Sequence, residues 1–188
     1  MKIVKLGLIS ILTAGALFAG TYNVDQSHSN VGFKVKHLMI SNVTGKFDNF
    51  NGSFEYDEKT NTLKSLVGKV DATSINTENK KRDGHLKSAD FFDTANYPEL
   101  TFTLEKVDGD IAYGKLTIRG VTKNVKLELE NNGTVVDPWG NKRVGLELNG
   151  KINRKDFGLN WNKALEAGGV VVSETIKLNI ELEGILAK

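Results

Sequence analysis

Residues 176–183 read Ile176-Lys-Leu-Asn-Ile-Glu-Leu-Glu183, with an apolar side chain at every even position and a polar one at every odd position. A period of two is typical of a β-strand that buries one face and exposes the other to water. The same alternation runs through residues 31–35, 125–130 and 146–152. This repeated pattern predicts an all-β fold with antiparallel strands.

The alternating runs number about eight, and most connections between them are short, which favours an up-and-down antiparallel barrel. A barrel of that size has an interior that side chains just fill, or that holds one small ligand. The predicted spans are 21–36, 42–57, 63–74, 99–107, 111–119, 122–131, 142–153 and 171–186. An outer-membrane barrel has a similar pattern, but the aromatic residues here do not cluster at the strand ends as its girdles do.

Turn-forming residues punctuate the predicted strands. Asp108-Gly109 and Asn131-Asn132-Gly133 lie between alternating runs and predict tight hairpin turns. Asn149-Gly150 lies inside a continuing alternation and predicts a bulge or bend instead. Around residues 48–50 the apolar phase changes from odd to even positions, which predicts a bulge that bends the second strand sharply.

One long interruption carries the only helix signal, at residues 77–93. It contains Arg82-Asp-Gly-His-Leu-Lys-Ser-Ala-Asp-Phe-Phe92. Thr77 and Ser88 are candidate caps for two short turns, and Pro98 ends the segment. A helical segment between early strands of a barrel is expected to plug the barrel or to cover what lies inside. A second irregular stretch, residues 156–169, precedes the last strand.

The amino terminus has the pattern of a secretory signal peptide. Lys2 and Lys5 precede an apolar run, which small residues follow at Ala19 and Gly20. We therefore expect residues 1–19 to be removed and residues 20–188 to form one domain. Secretion implies an oxidising compartment, but the chain has no cysteine and forms no disulfide.

The charge of the expected mature domain is close to neutral. The signal peptide removes Lys2 and Lys5 from the 25 basic residues and removes no acid, so the remainder matches the 23 acidic residues. A balanced charge gives no argument for binding nucleic acid, and none is expected as a partner.

Several motifs together resemble those of the YceI-like (polyisoprenoid-binding) family. The resemblance covers essentially the whole chain after the signal peptide. The segments that carry it are Asp25-Gln-Ser-His-Ser-Asn-Val-Gly-Phe-Lys-Val-Lys-His37, Val43-Thr-Gly-Lys-Phe47, Ser74-Ile-Asn-Thr77, Arg82-Asp-Gly-His-Leu-Lys-Ser88 with Asp90-Phe-Phe92, Gly114-Lys-Leu-Thr-Ile-Arg-Gly-Val-Thr-Lys123 and Ile152-Asn-Arg-Lys-Asp-Phe-Gly158.

The resemblance implies a lipocalin-like antiparallel barrel with an elongated apolar cavity. It also implies a periplasmic or secreted bacterial protein that binds a long-chain amphiphile, such as a polyisoprenoid, an isoprenoid quinone or a fatty-acid-type lipid. Neither catalysis nor a cofactor is implied. The expected partner is the lipid or isoprenoid ligand, with transient membrane contact and a homodimer as further candidates.

The apolar strand faces, together with two phenylalanines of the interruption, are the candidates for a tail cavity. Whether they fill the barrel or leave a tunnel is not decided by the pattern. For Phe91 and Phe92, packing against Leu86 and lining a tunnel are equally open. The predicted tail residues are Phe33, Val35, Phe91, Phe92, Phe102, Leu116, Ile118, Leu146, Leu148, Ile176, Leu178 and Ile180.

Polar residues near the interruptions are the candidates for a head-group site: Arg82, Asp83, His85 and Arg154. The fixed fork of donors on arginine suits a phosphate or carbonyl group. The alternative is structural, because Arg82 and Asp83 could pin the helical segment to the barrel wall and Arg154 could anchor the late loop.

Support for catalysis or a metal site is weak at the level of sequence. The three histidines, His28, His37 and His85, show no metal-ligand spacing, and no cysteine can complete a zinc site. Ser27 and His28 are adjacent on a predicted strand and so point to opposite faces. An enzyme acting on an isoprenoid or acyl substrate, with His85 and Asp83 as the acid–base pair, is the alternative to a binding protein.

Overall fold

The computed structural model describes residues 19–164 and 168–188, which form a closed antiparallel barrel. The predicted signal peptide lies outside the described residues apart from Ala19, so its removal stays a prediction. The strands are β1 Gly20–Val24, β2 Asn30–His37, β3 Ser41–Phe47, β4 Phe50–Asp57, β5 Thr62–Asp71, β6 Ile75–Asn76, β7 Glu99–Asp108, β8 Ile111–Ile118, β9 Val121–Val136, β10 Lys142–Asn153 and β11 Val172–Leu186.

The barrel wall has eight strand positions, as the alternation predicts. Two of these positions are each occupied by two successive short strands. β1 and β2 both pair with β11, and a 3-10 turn at Gln26–His28 separates them. Asp25 caps that turn by accepting a hydrogen bond from the Ser27 amide at 3.0 Å. β3 and β4 together occupy the next position in the wall, where β3 pairs with β2 and β4 pairs with β1. The ring closes through β5, β7, β8, β9, β10 and β11.

The bulge predicted at residues 48–50 is wrong, because the strand stops there altogether. β3 ends at Phe47 and β4 begins at Phe50. The Asp48 amide donates instead to the Ser74 carbonyl at 3.1 Å. The break keeps Phe47 and Phe50 both buried, although one is odd and the other even.

Two further turn predictions are wrong, and the partner strand explains both. Asn131-Asn132-Gly133 is a bulge inside β9, with the register shifted against β10 and Gly133 at a φ of 82°. The chain reverses later, at residues 137–141.

Gly150 is paired regularly with Leu178 rather than bulged. A Cβ there would lie 2.5 Å from Leu127 Cδ2, so close packing requires the glycine. The turn at Asp108-Gly109 is confirmed by the pairing of Asp108 with Ile111.

The helical interruption forms one short helix, α1, at Lys80–Lys87. Its N-cap is Asn79, whose side chain accepts from the Arg82 amide at 3.0 Å, and not the predicted Thr77. Ser88 lies at the opposite end and donates to the His85 carbonyl at 2.8 Å. Among the described residues, no helix has both the length and the apolar composition needed to cross a membrane.

The buried side chains form two clusters along the barrel. The tyrosine cluster fills one part, with Tyr22 stacked on Phe54 at 5.5 Å between ring centroids. Its members are Tyr22, Phe54, Tyr56, Leu63, Leu66, Leu104, Ala112, Leu127, Val144, Leu146, Leu148 and Leu182. The phenylalanine cluster lies towards α1 and comprises Phe47, Ala72, Ile75, Phe91, Leu100, Ile118, Phe157 and Leu159.

Candidate ligand cavity

An apolar cavity lies inside the barrel between the two clusters. Its volume is about 190 Å³. Side chains of both clusters line it, together with inward residues of β2, β5, β7, β8 and β11. Such a void is far larger than the gaps of an ordinary close-packed interior.

A pair of glycines creates part of this space. Gly68 on β5 lies opposite Gly52 on β4 and Phe102 on β7. A Cβ added at Gly68 would meet no atom within 4 Å. The wall at this point therefore carries no side chain where the alternation calls for an inward one.

Eleven of the twelve predicted tail residues line the cavity: Phe33, Val35, Phe91, Phe92, Phe102, Leu116, Ile118, Leu148, Ile176, Leu178 and Ile180. Leu146 does not, because it lies within the tyrosine cluster, 1% exposed, where it pairs with Leu182 of β11. Its inward orientation follows the alternation, but its position along the barrel axis puts it beyond the end of the cavity.

Several lining residues lie outside clean alternation, and the sequence pattern does not predict them. Phe47 and Phe157 both line the cavity and are nearly inaccessible. Phe47 lies where the phase of its strand changes, and that change was the available signal. Phe157 lies in a 3-10 turn, Arg154–Phe157, in which no period of two marks the inward side.

An aromatic group covers the cavity on the α1 side. Phe91 lines the cavity and packs against Trp161, with ring centroids 5.3 Å apart. Phe92 also lines it and meets Phe47 edge to face at 5.8 Å. Each phenylalanine therefore lines the cavity and also packs in the phenylalanine cluster, against which Leu86 lies as well.

Arg82 and Asp83 are engaged with Thr77 rather than with the cavity. Arg82 donates through Nε to the Thr77 hydroxyl and through Nη2 to its carbonyl, both at 2.7 Å. Asp83 accepts from the Thr77 amide at 2.9 Å and from its hydroxyl at 2.5 Å. This network ties α1 to the chain that enters it from the barrel, which favours the anchoring interpretation for both residues.

His85 lies above the aromatic cover and outside the cavity lining. Its Nε2 is 2.9 Å from Asp90 Oδ2, and its ring stands edge to face with Phe91 and Trp161. Asp83 is bound to Thr77 and His85 to Asp90. The contacts therefore do not bring these two residues together as an acid–base pair.

Arg154 alone among the predicted head-group residues lines the cavity, and it is 3% exposed. Nε donates to the Ser173 carbonyl at 3.0 Å, Nη1 donates to the Leu159 carbonyl, and Nη2 reaches the Val172 carbonyl at 3.4 Å. A guanidinium has five donors, so these bonds leave two donors unused among the described residues. Burial lowers the pKa of Arg154, and the nearby charge of Glu174 partly opposes this.

The other largely buried arginine, Arg143, has a different environment. It donates to Asp137 Oδ2 at 2.7 Å, to Asp25 Oδ2 at 2.9 Å and to Glu183. Within the described ranges, Asp25, His28 and Glu183 are close enough to resemble a metal-ligand group. Arg143 already supplies the positive charge at that point.

Comparison with known proteins places these features in a family. The family model described as a YceI-like domain matches residues 22–184. Protein YceI of Escherichia coli O17:K52:H18 is 39% identical over 184 residues, covering 95% of this chain and 93% of the relative. The crystal structure of the Campylobacter jejuni YCEI protein matches with a TM-score of 0.70 at 38% identity, covering 87% of this chain and 96% of that one.

A more distant solved structure shares the fold. It is described as a polyisoprenoid binding domain from Saccharophagus degradans and matches with a TM-score of 0.67 at 18% identity. The match covers 90% of this chain and all of the other. The barrel architecture is therefore common to chains whose sequences have diverged widely.

Proposed function

The chain belongs to the YceI-like family, and on that premise we propose that it binds and carries a long-chain amphiphile in its barrel cavity. The ligand class is a polyisoprenoid, an isoprenoid quinone or a fatty-acid-type lipid. The observation that carries this proposal is the apolar cavity with one buried guanidinium among its lining residues. The description of the Saccharophagus degradans domain as polyisoprenoid binding is consistent with it.

An empty cavity of this size would be costly. The space has about 190 Å³, and an unfilled apolar space lowers stability by an amount that grows with its volume. Water does not relieve this cost, because an apolar wall offers it too few hydrogen-bond partners. An alkyl or isoprenoid chain would fill the space and contribute about 0.8 kcal/mol for each methylene taken from water.

The head group is expected to meet Arg154. A buried guanidinium without a carboxylate in contact is unfavourable, and no described carboxylate forms an ion pair with Arg154. Its two unused donors fit an anionic or strongly polar oxygen of a ligand. An amphiphile with an acidic head group would satisfy these donors while its tail occupies the apolar space.

The head group also matters for carriage. A tail that leaves a bilayer for the cavity gains almost nothing, since lipid is as apolar as the cavity wall. Contacts with Arg154 and closure of the aromatic cover would then decide whether lipid is extracted. Transient contact with a membrane is therefore part of the proposal.

The proposed location is the periplasm, reached through removal of residues 1–19. Fusing residues 1–30 to a reporter enzyme that is active only outside the cytoplasm tests this directly. Replacing the apolar residues Ile11 and Leu12 with Arg in the fusion should abolish reporter activity. Equal activity with and without these changes would contradict export by this segment.

Native mass spectrometry tests the ligand proposal. The purified domain should show an additional mass of lipid size that organic extraction removes and that an added polyisoprenyl phosphate or fatty acid restores. The variant Gly68→Leu, which places a side chain in the cavity, should retain much less. A wild-type domain that takes up neither probe after extraction would overturn the proposal.

A further inference from the structure

The hairpin that joins β2 to β3 ends in an exposed apolar turn, Leu38-Met39-Ile40. The side chains of Met39 and Ile40 are 54% and 82% exposed. His37 and Ser41 are paired at the base of the turn, and the Ile40 amide donates to the His37 carbonyl at 3.2 Å. The turn therefore holds two large apolar side chains mostly in water.

The backbone of this turn suits other residue types. Leu38 and Met39 have φ angles of 50° and 64°, and a two-residue turn with positive φ at both positions favours Asn-Gly. The corresponding turn between β8 and β9 has a glycine at its second position, Gly120, with a φ of 72°. The other non-glycine residues at positive φ in the described chain are polar: Asn61, Glu78, Asp93 and Arg119. Apolar residues at such positions cost conformational energy, which points to a role for them outside the fold.

The turn lies at the Arg154 end of the cavity. The Leu38 amide donates to the Val171 carbonyl at 2.9 Å, and His37 pairs with Val172. Val172 lines the cavity, and its carbonyl accepts from Arg154. The exposed apolar turn is therefore close to the proposed head-group site.

The hairpin that carries the turn is basic. Residues 30–47 include three lysines and no acidic residue. Lys46 is paired with Asp48 at 3.0 Å, whereas Lys34 and Lys36 form no ion pair within residues 19–164 and 168–188. Lys36 lies two residues before the turn, about 7 Å away at the rise of a β-strand. Apolar side chains with lysine behind them favour the surface of an anionic membrane.

We propose that the turn Leu38-Met39-Ile40 docks the barrel on an anionic lipid bilayer. This inference rests on the membrane contact in the proposed function and names the part of the chain that makes it. Interfacial segments bury their apolar face to a depth of about 5–10 Å. Insertion of Met39 and Ile40 to that depth would bring Lys36 to the level of the lipid phosphates. The head-group end of the cavity would then lie beside the membrane.

A second exposed apolar turn lies at the opposite end of the barrel and lacks the positive charge. Trp139 is 81% exposed there, and two valines before it are exposed as well. β10 runs its whole length between this turn and the cavity end. Asp137 accepts from the Trp139 amide at 3.0 Å, and the nearby Lys142 is paired with Glu58 at 2.9 Å. Charges that are already balanced give little attraction to anionic lipid, so charge favours the turn between β2 and β3.

Flotation with lipid vesicles tests this assignment on the purified domain. The tip variant, Met39→Gly with Ile40→Ser, should bind vesicles of phosphatidylethanolamine and phosphatidylglycerol roughly tenfold more weakly than the wild type. The charge variant, Lys34→Gln with Lys36→Gln, should lose the preference for these vesicles over neutral ones. Trp139→Ser is the matched control, because it removes an exposed apolar side chain at the other end, and it should bind as the wild type does.

Urea denaturation separates docking from folding. Glycine adopts a positive φ without strain, and the Ile40 side chain is mostly exposed. The tip variant should therefore lose vesicle binding while its urea midpoint stays unchanged or rises. A midpoint that falls clearly below that of the wild type would assign these side chains to the fold and overturn the proposal.

Uptake of a polyisoprenyl phosphate from detergent, without membranes, separates docking from the proposed carriage. The tip variant should take up as much as the wild type, but transfer of the same lipid from vesicles should be slower. A wild-type domain that floats with vesicles and takes up no lipid would contradict carriage and leave docking intact.

Several results would overturn docking by this turn. A wild-type domain that does not float with anionic vesicles would do so, as would flotation that the tip variant retains or that Trp139→Ser abolishes. Self-association that the tip variant loses, without any binding to vesicles, would assign the turn to contact with a second copy instead.

Discussion

The two largely buried arginines have different partners, and we expect one of them to serve structure and the other recognition of a ligand. Arg143 lies on the outer face over the tyrosine cluster, 14% exposed, and contacts three carboxylates. Arg154 lies at the cavity, 3% exposed, and contacts only backbone carbonyls among the described residues. The charge of Arg143 is compensated by carboxylates in contact with it, while Arg154 lies beside apolar space with two unused donors and no carboxylate in contact among the described residues.

The largest expected effect is a loss of stability on replacing Arg143. Arg143→Met leaves Asp25, Asp137 and Glu183 close together without their cation, and we expect the free energy of unfolding to fall by several times as much as it does on loss of an exposed ion pair. Urea denaturation at neutral pH measures the change. The matched control is Lys115→Met, which removes an exposed pair with Glu105 and should cost less than about 1 kcal/mol. Equal losses of unfolding free energy in the two variants would mean that Arg143 stabilises the fold no more than an exposed lysine does.

The same cluster predicts a pH dependence. Hydrogen bonds from Ser27, His28 and Arg143 hold the pKa of Asp25 well below its ordinary value. A depressed carboxyl pKa in the folded state stabilises the protein above about pH 4, and this contribution is lost as the pH falls through the folded value. The wild type should therefore lose stability on acidification more steeply than Arg143→Met, and the two unfolding curves should converge at low pH.

For Arg154 the expected loss is in binding more than in stability. Arg154→Met should remove a charge-assisted hydrogen bond to the head group, and the loss of one such bond, worth about 1.5–3 kcal/mol, should lower affinity for a polyisoprenyl phosphate roughly 10- to 100-fold. Affinity for the uncharged alcohol with the same tail should change little. Arg82→Met is the control, since its partner is Thr77, and it should leave both affinities unchanged. Parallel loss for both ligands would mean that Arg154 only supports the cavity wall.

Filling the cavity separates the role of the space from that of the charge. Gly68→Leu keeps Arg154 but occupies the volume opposite Gly52, so both the phosphate and the alcohol should bind about tenfold less tightly. Gly84→Leu is the matched control, because that glycine on α1 is exposed and also has no atom within 4 Å of an added Cβ. Unchanged binding in Gly68→Leu would place the ligand outside the barrel.

The sequence predicts the barrel well and the arginines poorly, for a physical reason. Alternation is a local signal, so the eight strand positions of the wall and the inward side of each could be read directly from the sequence. Position along the barrel axis is not local, and Leu146 therefore looked equivalent to Leu148. Asn131-Asn132-Gly133 is compatible with either a turn or a bulge, and pairing with β10 decides between them.

The head-group candidates show the same limit. Arg82 and Arg154 both lie near interruptions of the strand pattern, and nothing in their neighbours along the chain distinguishes them. Thr77 engages Arg82 at one end of α1, while the carbonyls of Leu159 and Ser173 hold Arg154 against the cavity. Burial of a charge depends on where the chain folds back, which the local pattern does not record.

The smallest expected effect comes from Glu174, the acid whose charge acts on Arg154. Its carboxylate is bound to Lys155 at 2.5 Å and is about half exposed, so it attracts Arg154 only weakly and repels an incoming anion only weakly. Glu174→Gln should therefore tighten binding of a polyisoprenyl phosphate by about two- to fivefold. Affinity for the uncharged alcohol should stay constant, and titration of the extracted domain with both ligands measures the ratio. Lys155→Met, which releases Glu174, should shift that ratio the other way. A ratio that both variants leave unmoved would mean that the head group does not lie near Arg154.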